Sequence, residues 1–220
     1  MIIIGLTDIH GQLAAVDGMA AVLRKADMVL LAGDITHFGR EDAAGQVLFK
    51  IRKYASVVLA VCGNCDYAGV EKVLTREKVS CHGVRVLADG VAFVGLGGSL
   101  TTPFHTPGEY TEDELAGFLD AAATDLNSEL PLVLISHQPP LHTACDRLSD
   151  GTHVGSRAVR QFIERYQPLL CLTGHIHEAA GMDRIGRTVI VNPGPIGRGG
   201  FMRAEITGRQ AAVTLERVSE

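Results

Sequence analysis

Residues 1–11 read MIIIGLTDIHG, and this stretch decides the fold. Ile2–Leu6 is a short aliphatic, β-branched run without a charge, the composition of a strand buried on both faces. It delivers the chain straight to Asp8 and His10, two side chains that exchange protons and bind metals. The pattern then recurs. Met28–Leu31 leads through Gly33 to Asp34, and Val57–Val61 through Gly63 to Asn64. Leu132–Ile135 leads to His137, and Leu169–Leu172 through Gly174 to His175 and His177. In open α/β sheets ligands gather beyond the carboxyl ends of the strands, so these groups are expected on one rim. Carboxylates, an amide carbonyl and imidazoles form a donor set suited to Mn²⁺, Fe²⁺ or Zn²⁺.

Around these strand ends the chain alternates between β-branched runs and amphipathic stretches, the pattern of an α/β fold. Val84–Leu87 and Val91–Leu96 read as further strands. Leu13, Val16, Ala20 and Leu23 recur at helical spacing and predict a helix over about 12–25. Similar periodicity predicts helices near 41–54, 69–78, 111–126 and 156–166. The fourth opens with Thr111 followed three residues later by Glu114, a capping-box signature. Thr188–Val191, Met202–Ile206 and Ala212–Val218 read as strands with a turn at Gly208, so the chain is expected to finish in antiparallel structure. Two long segments, Gly97–Tyr110 and Gln138–Gly155, carry Pro, Gly, His and Thr between these elements and are candidate walls for a substrate.

The 220 residues, with no repeat or linker, suit a single domain spanning 1–220. A formal net charge of −5 and a pI near 6.0 argue against an extended nucleic-acid footprint. The first residues lack the basic start of a signal peptide, and no apolar run reaches the ~18 residues of a membrane span. Five cysteines (Cys62, Cys65, Cys81, Cys145 and Cys171), an odd number, suggest reduced thiols and a cytoplasmic setting.

Each polar motif alone also has an ordinary reading: Asp34 as a helix cap, Asn64 as a turn residue, Gly-His-x-His as a capped turn. Together and in order they resemble the calcineurin-like metallophosphoesterases, most closely the compact predicted phosphoesterases related to cyclic-nucleotide phosphodiesterases. The matching motifs are Asp8-Ile9-His10-Gly11, Gly33-Asp34-Ile35-Thr36, Gly63-Asn64-Cys65-Asp66, Ser136-His137-Gln138-Pro139-Pro140 and Gly174-His175-Ile176-His177. Gly33–Gly39, His153-Val154-Gly155-Ser156 and Asn192-Pro193-Gly194-Pro195 add to the likeness. The resemblance implies a four-layer αββα sandwich of two mixed sheets flanked by helices. It implies two divalent metal ions, Mn favoured over Fe or Zn. Asp8, His10, Asp34 and His177 would hold one, and Asp34, Asn64, His137 and His175 the other, with Asp34 bridging. It further implies hydrolysis of a small phosphate ester by a metal-activated hydroxide attacking phosphorus in line.

One position departs from the family. Cys65 stands where a histidine usually assists the leaving group, and a thiol donates hydrogen bonds weakly. Members of the family with a residue other than His here resemble phosphodiesterases, so the resemblance favours phosphodiesters as substrates. Asn64, Cys65, Asp66 and the loop histidine His37 are the candidate catalytic residues, Asp66 also reading as a turn or supporting residue. Cys62 and Cys65 match a redox-type Cys-x-x-Cys with no second pair. His153 and Arg198 are candidate phosphate contacts or ordinary surface groups, His105 and His142 solvated loop residues, and His82 structural. Competing readings are a phosphomonoesterase or nucleotide pyrophosphatase with the same centre, a nuclease, and a non-catalytic interaction scaffold. The oligomeric state is left open.

Overall fold

The computed structural model describes residues 1–127 and 129–218. Its strands are β1 Ile2–Leu6, β2 Met28–Ala32, β3 Val58–Val61, β4 Arg85–Ala88, β5 Val91–Leu96, β6 Ser99–Leu100, β7 Glu109–Tyr110, β8 Leu132–Ser136, β9 Leu170–Leu172, β10 Gly181–Ile185, β11 Thr188–Asn192, β12 Gly200–Thr207 and β13 Gln210–Arg217. The helices are α1 Leu13–Gly18, α2 Ala20–Leu23, α3 Glu41–Arg52, α4 Ala68–Arg76, α5 Glu112–Ala123 and α6 Arg157–Tyr166.

Strand alternation divides each sheet's side chains between two cores. In the first sheet, ordered β13-β12-β1-β2-β3, Ile4, Leu6, Val29 and Leu31 face the helices. Ile3, Met28, Leu30 and Ala32 point the other way. There they meet Phe93, Val133, Ile135, Leu170, Leu172 and Val191 of the second sheet, ordered β10-β11-β9-β8-β5-β4. The outer face of the second sheet packs Val94, Leu134 and Ile190 against Leu115 and Leu119 of α5 and Val159, Phe162 and Ile163 of α6. Four layers follow: helices, sheet, sheet, helices. Each fully buried aliphatic side chain contributes about 1.5–3 kcal/mol, so all three interfaces between the layers hold the sandwich together.

The helices form where pattern and ends agree. In α3 the buried residues Ala44, Val47, Leu48 and Ile51 fall at helical spacing, with Glu41 and Asp42 in the first turn and Lys50 and Arg52 in the last, matching the helix dipole. Thr111 and Glu114 close the capping box expected at α5. The single helix expected over 12–25 is instead two, α1 and α2, separated at Met19. Gly18 is the poorest helix former in the stretch, and the break falls beside it.

The chain's last strands also divide differently from expectation. Thr188–Asn192 joins the second sheet, antiparallel to β10 and parallel to β9. Only β12 and β13 make the terminal hairpin, with Thr207 paired to Gln210 across the Gly208 turn. The strand β10 was not expected. Its side chains alternate between exposed and half-buried, leaving no apolar run to reveal it. In the segment 97–110, β6 and β7 form a two-residue parallel pair. Among the described residues no helix is long and apolar enough to cross a membrane.

Candidate metal centre

The two sheets bring their carboxyl-end loops to one rim. β1, β2 and β3 run parallel in the first sheet, and β8 and β9 run parallel in the second. The loops after β1 and β2 are zipped together by Asp8 N–H to Gly33 O (3.2 Å), His10 N–H to Asp34 O (2.8 Å) and Gly11 N–H to Ile35 O (3.0 Å). Across the sheets, the His137 ring reaches Ala32 O with Nδ1 at 2.8 Å.

The backbone at the rim is unusual. Asp8, His10, Asp34 and His175 all have φ between 47° and 68°, the left-handed region. Asp and His enter it more readily than other side chains, at about 1 kcal/mol each. This conformation turns successive loop ends inward. Close approach then demands glycine nearby: a Cβ on Gly63 would overlap Asp34 Oδ1, and one on Gly174 would overlap Thr7 Oγ1.

The side chains fall into two groups sharing Asp34. In the first, ligand atoms of Asp8, His10, Asp34 and His177 lie within 4.8 Å of one another. His177 Nε2 is 3.2 Å from Asp8 Oδ1, His10 Nε2 is 3.3 Å from His177 Nε2, and His10 Nε2 is 3.6 Å from Asp34 Oδ2. In the second, His137 Nε2 lies 2.9 Å from Asn64 Oδ1 and 3.6 Å from Asp34 Oδ1. The His175 ring sits beside that of His137, centroids 5.2 Å apart. The two carboxylate oxygens of Asp34 therefore face different groups. Cys65 N–H fixes Oδ1 at 2.9 Å.

Several of these contacts lack a proton to share. With Nδ1–H of His137 donated to Ala32 O, its Nε2 lone pair points at two oxygen acceptors, Asn64 Oδ1 and Asp34 Oδ1. Nδ1 of His10 is buried with no hydrogen-bond partner. Burial holds the His10 imidazole below its ordinary value and takes His175 down to about 4. Both rings are then neutral at pH 7, as metal ligation requires. Asp8 is fully buried. Burial pushes its carboxyl up, but the hydrogen bond from His177 and the nearby imidazoles bring it below the ordinary range. The hydrogen bond to Asp8 in turn raises His177. Converging lone pairs and carboxylates of this kind fit a cation.

The other candidates divide by where they point. Asp66 is buried and its two oxygens accept from Gly63 N, Ile35 N, Thr36 N and Thr36 Oγ1 at 2.8–2.9 Å. It ties the Asp34 loop to the Asn64 loop and has no oxygen left to face a substrate. Burial and the neighbouring Asp34 charge lift it to about 6. Cys65 is half-buried; burial, then the Asp34 carboxylate, push its thiol well above the ordinary value, so it stays protonated. Cys62 is raised for the same first reason and its Sγ contacts Glu71 Oε2 at 3.4 Å, so neither thiol has the thiolate character that redox exchange needs. His37 is exposed and sets its ring edge-on to His10, centroids 5.3 Å apart. Arg198 is exposed beside the first group, with Nη1 3.0 Å from His177 O. His153 is bound to the buried Asp146 at 2.7 Å, and His82 accepts from Gly97 N and packs on Tyr110 and Phe118, a structural role. Two residues the sequence did not single out lie beside Asn64 in the 97–110 segment: Thr106, which accepts from the Asn64 amide, and Glu109, which accepts from Thr106.

A two-sheet sandwich whose loops pool carboxylates and imidazoles at one rim is the metallo-dependent phosphatase fold. Residues 1–214 match the Calcineurin-like phosphoesterase superfamily domain, and the chain belongs to that superfamily. An uncharacterised protein of Methanocaldococcus jannaschii is 38% identical over 199 residues, covering 89% of this chain and 88% of its own. A Thermus thermophilus protein of known structure superposes with a TM-score of 0.75 at 19% identity, covering 99% of both chains. A dimetal phosphatase from Danio rerio superposes with a TM-score of 0.61 at 13% identity, covering 100% of this chain and 99% of its own. At these identities the two structures share the fold with this chain.

Proposed function

We propose that the chain hydrolyses small phosphate esters, diesters foremost, with two divalent metal ions, Mn²⁺ favoured. The observation that carries this reading is the placement of Asp34, one oxygen toward His10 and the other toward His137 and the Cys65 amide. Asp8, His10, Asp34 and His177 would hold one ion, and Asp34, Asn64, His137 and His175 the second. Bound there, the ions supply charge to neutralise phosphoryl oxygens and the acidity that turns water into a nucleophile at neutral pH.

The chain's own groups hold this arrangement. Ala32 O fixes the His137 tautomer, Cys65 N–H fixes the bridging carboxylate, and Asp66 locks the two loops that carry Asp34 and Asn64. His37 and Arg198, exposed at the rim, would meet a substrate's phosphate or its substituents. The preference for diesters follows from position 65. A protonated, weakly donating thiol gives little help to a poor leaving group, so turnover depends on leaving groups that depart without a proton.

The test compares bis-p-nitrophenyl phosphate with p-nitrophenyl phosphate, and then cyclic nucleotides, with Mn²⁺ loaded. Faster turnover of the diester is expected. A clear monoester preference overturns the substrate assignment, and no hydrolysis of any ester with any divalent metal overturns the catalytic one.

A further inference from the structure

The side-chain amide of Asn64 has two nearly isosteric orientations, and only one presents oxygen to a metal. In the metal-free site the wrong one is attractive. His137 Nε2, 2.9 Å away, carries a lone pair because Nδ1–H goes to Ala32 O. A flipped amide would therefore donate to His137 and turn its oxygen away.

Three hydrogen bonds from the 97–110 segment oppose the flip. Glu109 Oε1 accepts from Thr102 Oγ1 at 2.7 Å, Thr106 N at 2.7 Å and Thr106 Oγ1 at 2.6 Å. Burial pushes this carboxyl up, but the hydrogen bonds from Thr106 and Thr102 take it down to about 2, so at neutral pH it can only accept. The single hydroxyl proton of Thr106 is thereby committed to Glu109. What Thr106 Oγ1 has left is a lone pair, and Asn64 Nδ2 donates to it at 2.9 Å. Gly108 N–H to Asn64 O (2.9 Å) and the β6–β7 pairing keep the segment against the Asn64 loop.

We propose that Thr106 and Glu109 are positioning residues that hold the Asn64 amide with its carbonyl oxygen turned into the metal site. The proposal rests on the two-metal reading above and deepens it. Thr106 selects the orientation, and Glu109 prevents Thr106 from serving the other one. The segment 97–110, which the sequence suggested as a substrate wall, thus also sets the affinity of one metal.

The experiment is calorimetric titration of chelator-stripped protein with Mn²⁺, which needs no activity. Wild type should show two sites. Thr106→Val should weaken one by about 10–100-fold, as loss of a ligand's supporting partner does, and leave the other within about threefold. Thr106→Ser should restore it, and Glu109→Gln should weaken the same site. In an Asn64→Ala background Thr106→Val should add nothing. Two sites of wild-type affinity in Thr106→Val would overturn the proposal alone. So would equal losses in the Val and Ser variants, or a further loss on top of Asn64→Ala. A wild type that binds fewer than two ions would overturn the two-metal reading and this proposal with it.

Discussion

At the scale of single residues, Asp34 stands apart because its two oxygens face different groups of candidate ligands. Asp34→Asn is expected to lower kcat/KM by at least about 10³-fold, the upper range for loss of one charged stabilising group, and His177→Ala by less. Asp34→Asn with near wild-type kinetics would remove the bridge from the account. His175 gives a separate handle on pH. Its folded value near 4 lies below the ordinary 6.5. Between those values the unfolded chain takes up a proton that the folded chain refuses. Stability of the metal-free protein is therefore complete above about pH 6.5 and falls as pH drops toward 4. The full shift corresponds to about 3 kcal/mol, reduced because the side chain is only partly buried and water screens it. His177, raised by Asp8, works in the opposite sense, losing its contribution as pH rises through its folded value. Urea midpoints at pH 7 and pH 5 should differ in wild type and differ less in His175→Gln; equal pH dependence would discount His175. The sequence displayed these candidate ligands by their position after aliphatic runs. It did not display the left-handed backbone that aims them, nor Thr106 and Glu109, because an isolated threonine and glutamate in a loop carry no periodic or spacing signal.

Among the elements, the end of α6 is held by a neighbour as much as by itself. Ser156 caps it by accepting from Val159 N at 3.2 Å. Glu112, the first residue of α5, adds its carboxylate, accepting from Ser156 Oγ, Arg157 N and Ala158 N at 2.7–2.9 Å. A carboxylate at a helix N-terminus satisfies orphan donors and meets the positive end of the dipole. Glu112→Ala is expected to cost about 1–2 kcal/mol in urea denaturation, as loss of a strong N-cap does, and to leave metal affinity unchanged. A cost below about 0.3 kcal/mol would show that Ser156 suffices. The local box at Thr111 and Glu114 was legible because both partners lie within one turn. The Glu112 contact spans 44–46 residues and was not. The same distinction explains β10, which is recognised by its partner β11 and not by its own sequence, and the divided helix, whose apolar stripe continues smoothly past the break at Met19.

For the molecule as a whole, the proposed ligands come from both sheets: Asp8, His10, Asp34 and Asn64 from the first, His137, His175 and His177 from the second. Ions binding there bind only the assembled sandwich. At 100 times Kd each would add about 2.7 kcal/mol. For a chain of this size two would raise Tm by roughly 10 °C. A thermal melt with saturating Mn²⁺, reversed by a chelator, checks this; an unchanged midpoint would sever the link between site and fold. The layered architecture was legible because aliphatic runs and amphipathic stretches alternate, and the resemblance supplied the pairing of the sheets. Strand order was not legible, since nothing in Ile2–Leu6 names its neighbours. One of those neighbours is β12, which pairs Ile2 with Glu205 and Gly5 with Met202. A ribosome therefore delivers β12 long after β1, with nearly every other element of the sandwich made in between. Until then an aliphatic strand of the first sheet has one open edge, exposed to other nascent chains. Growth of this protein in the cell therefore includes a long interval in which its first strand waits for almost its last.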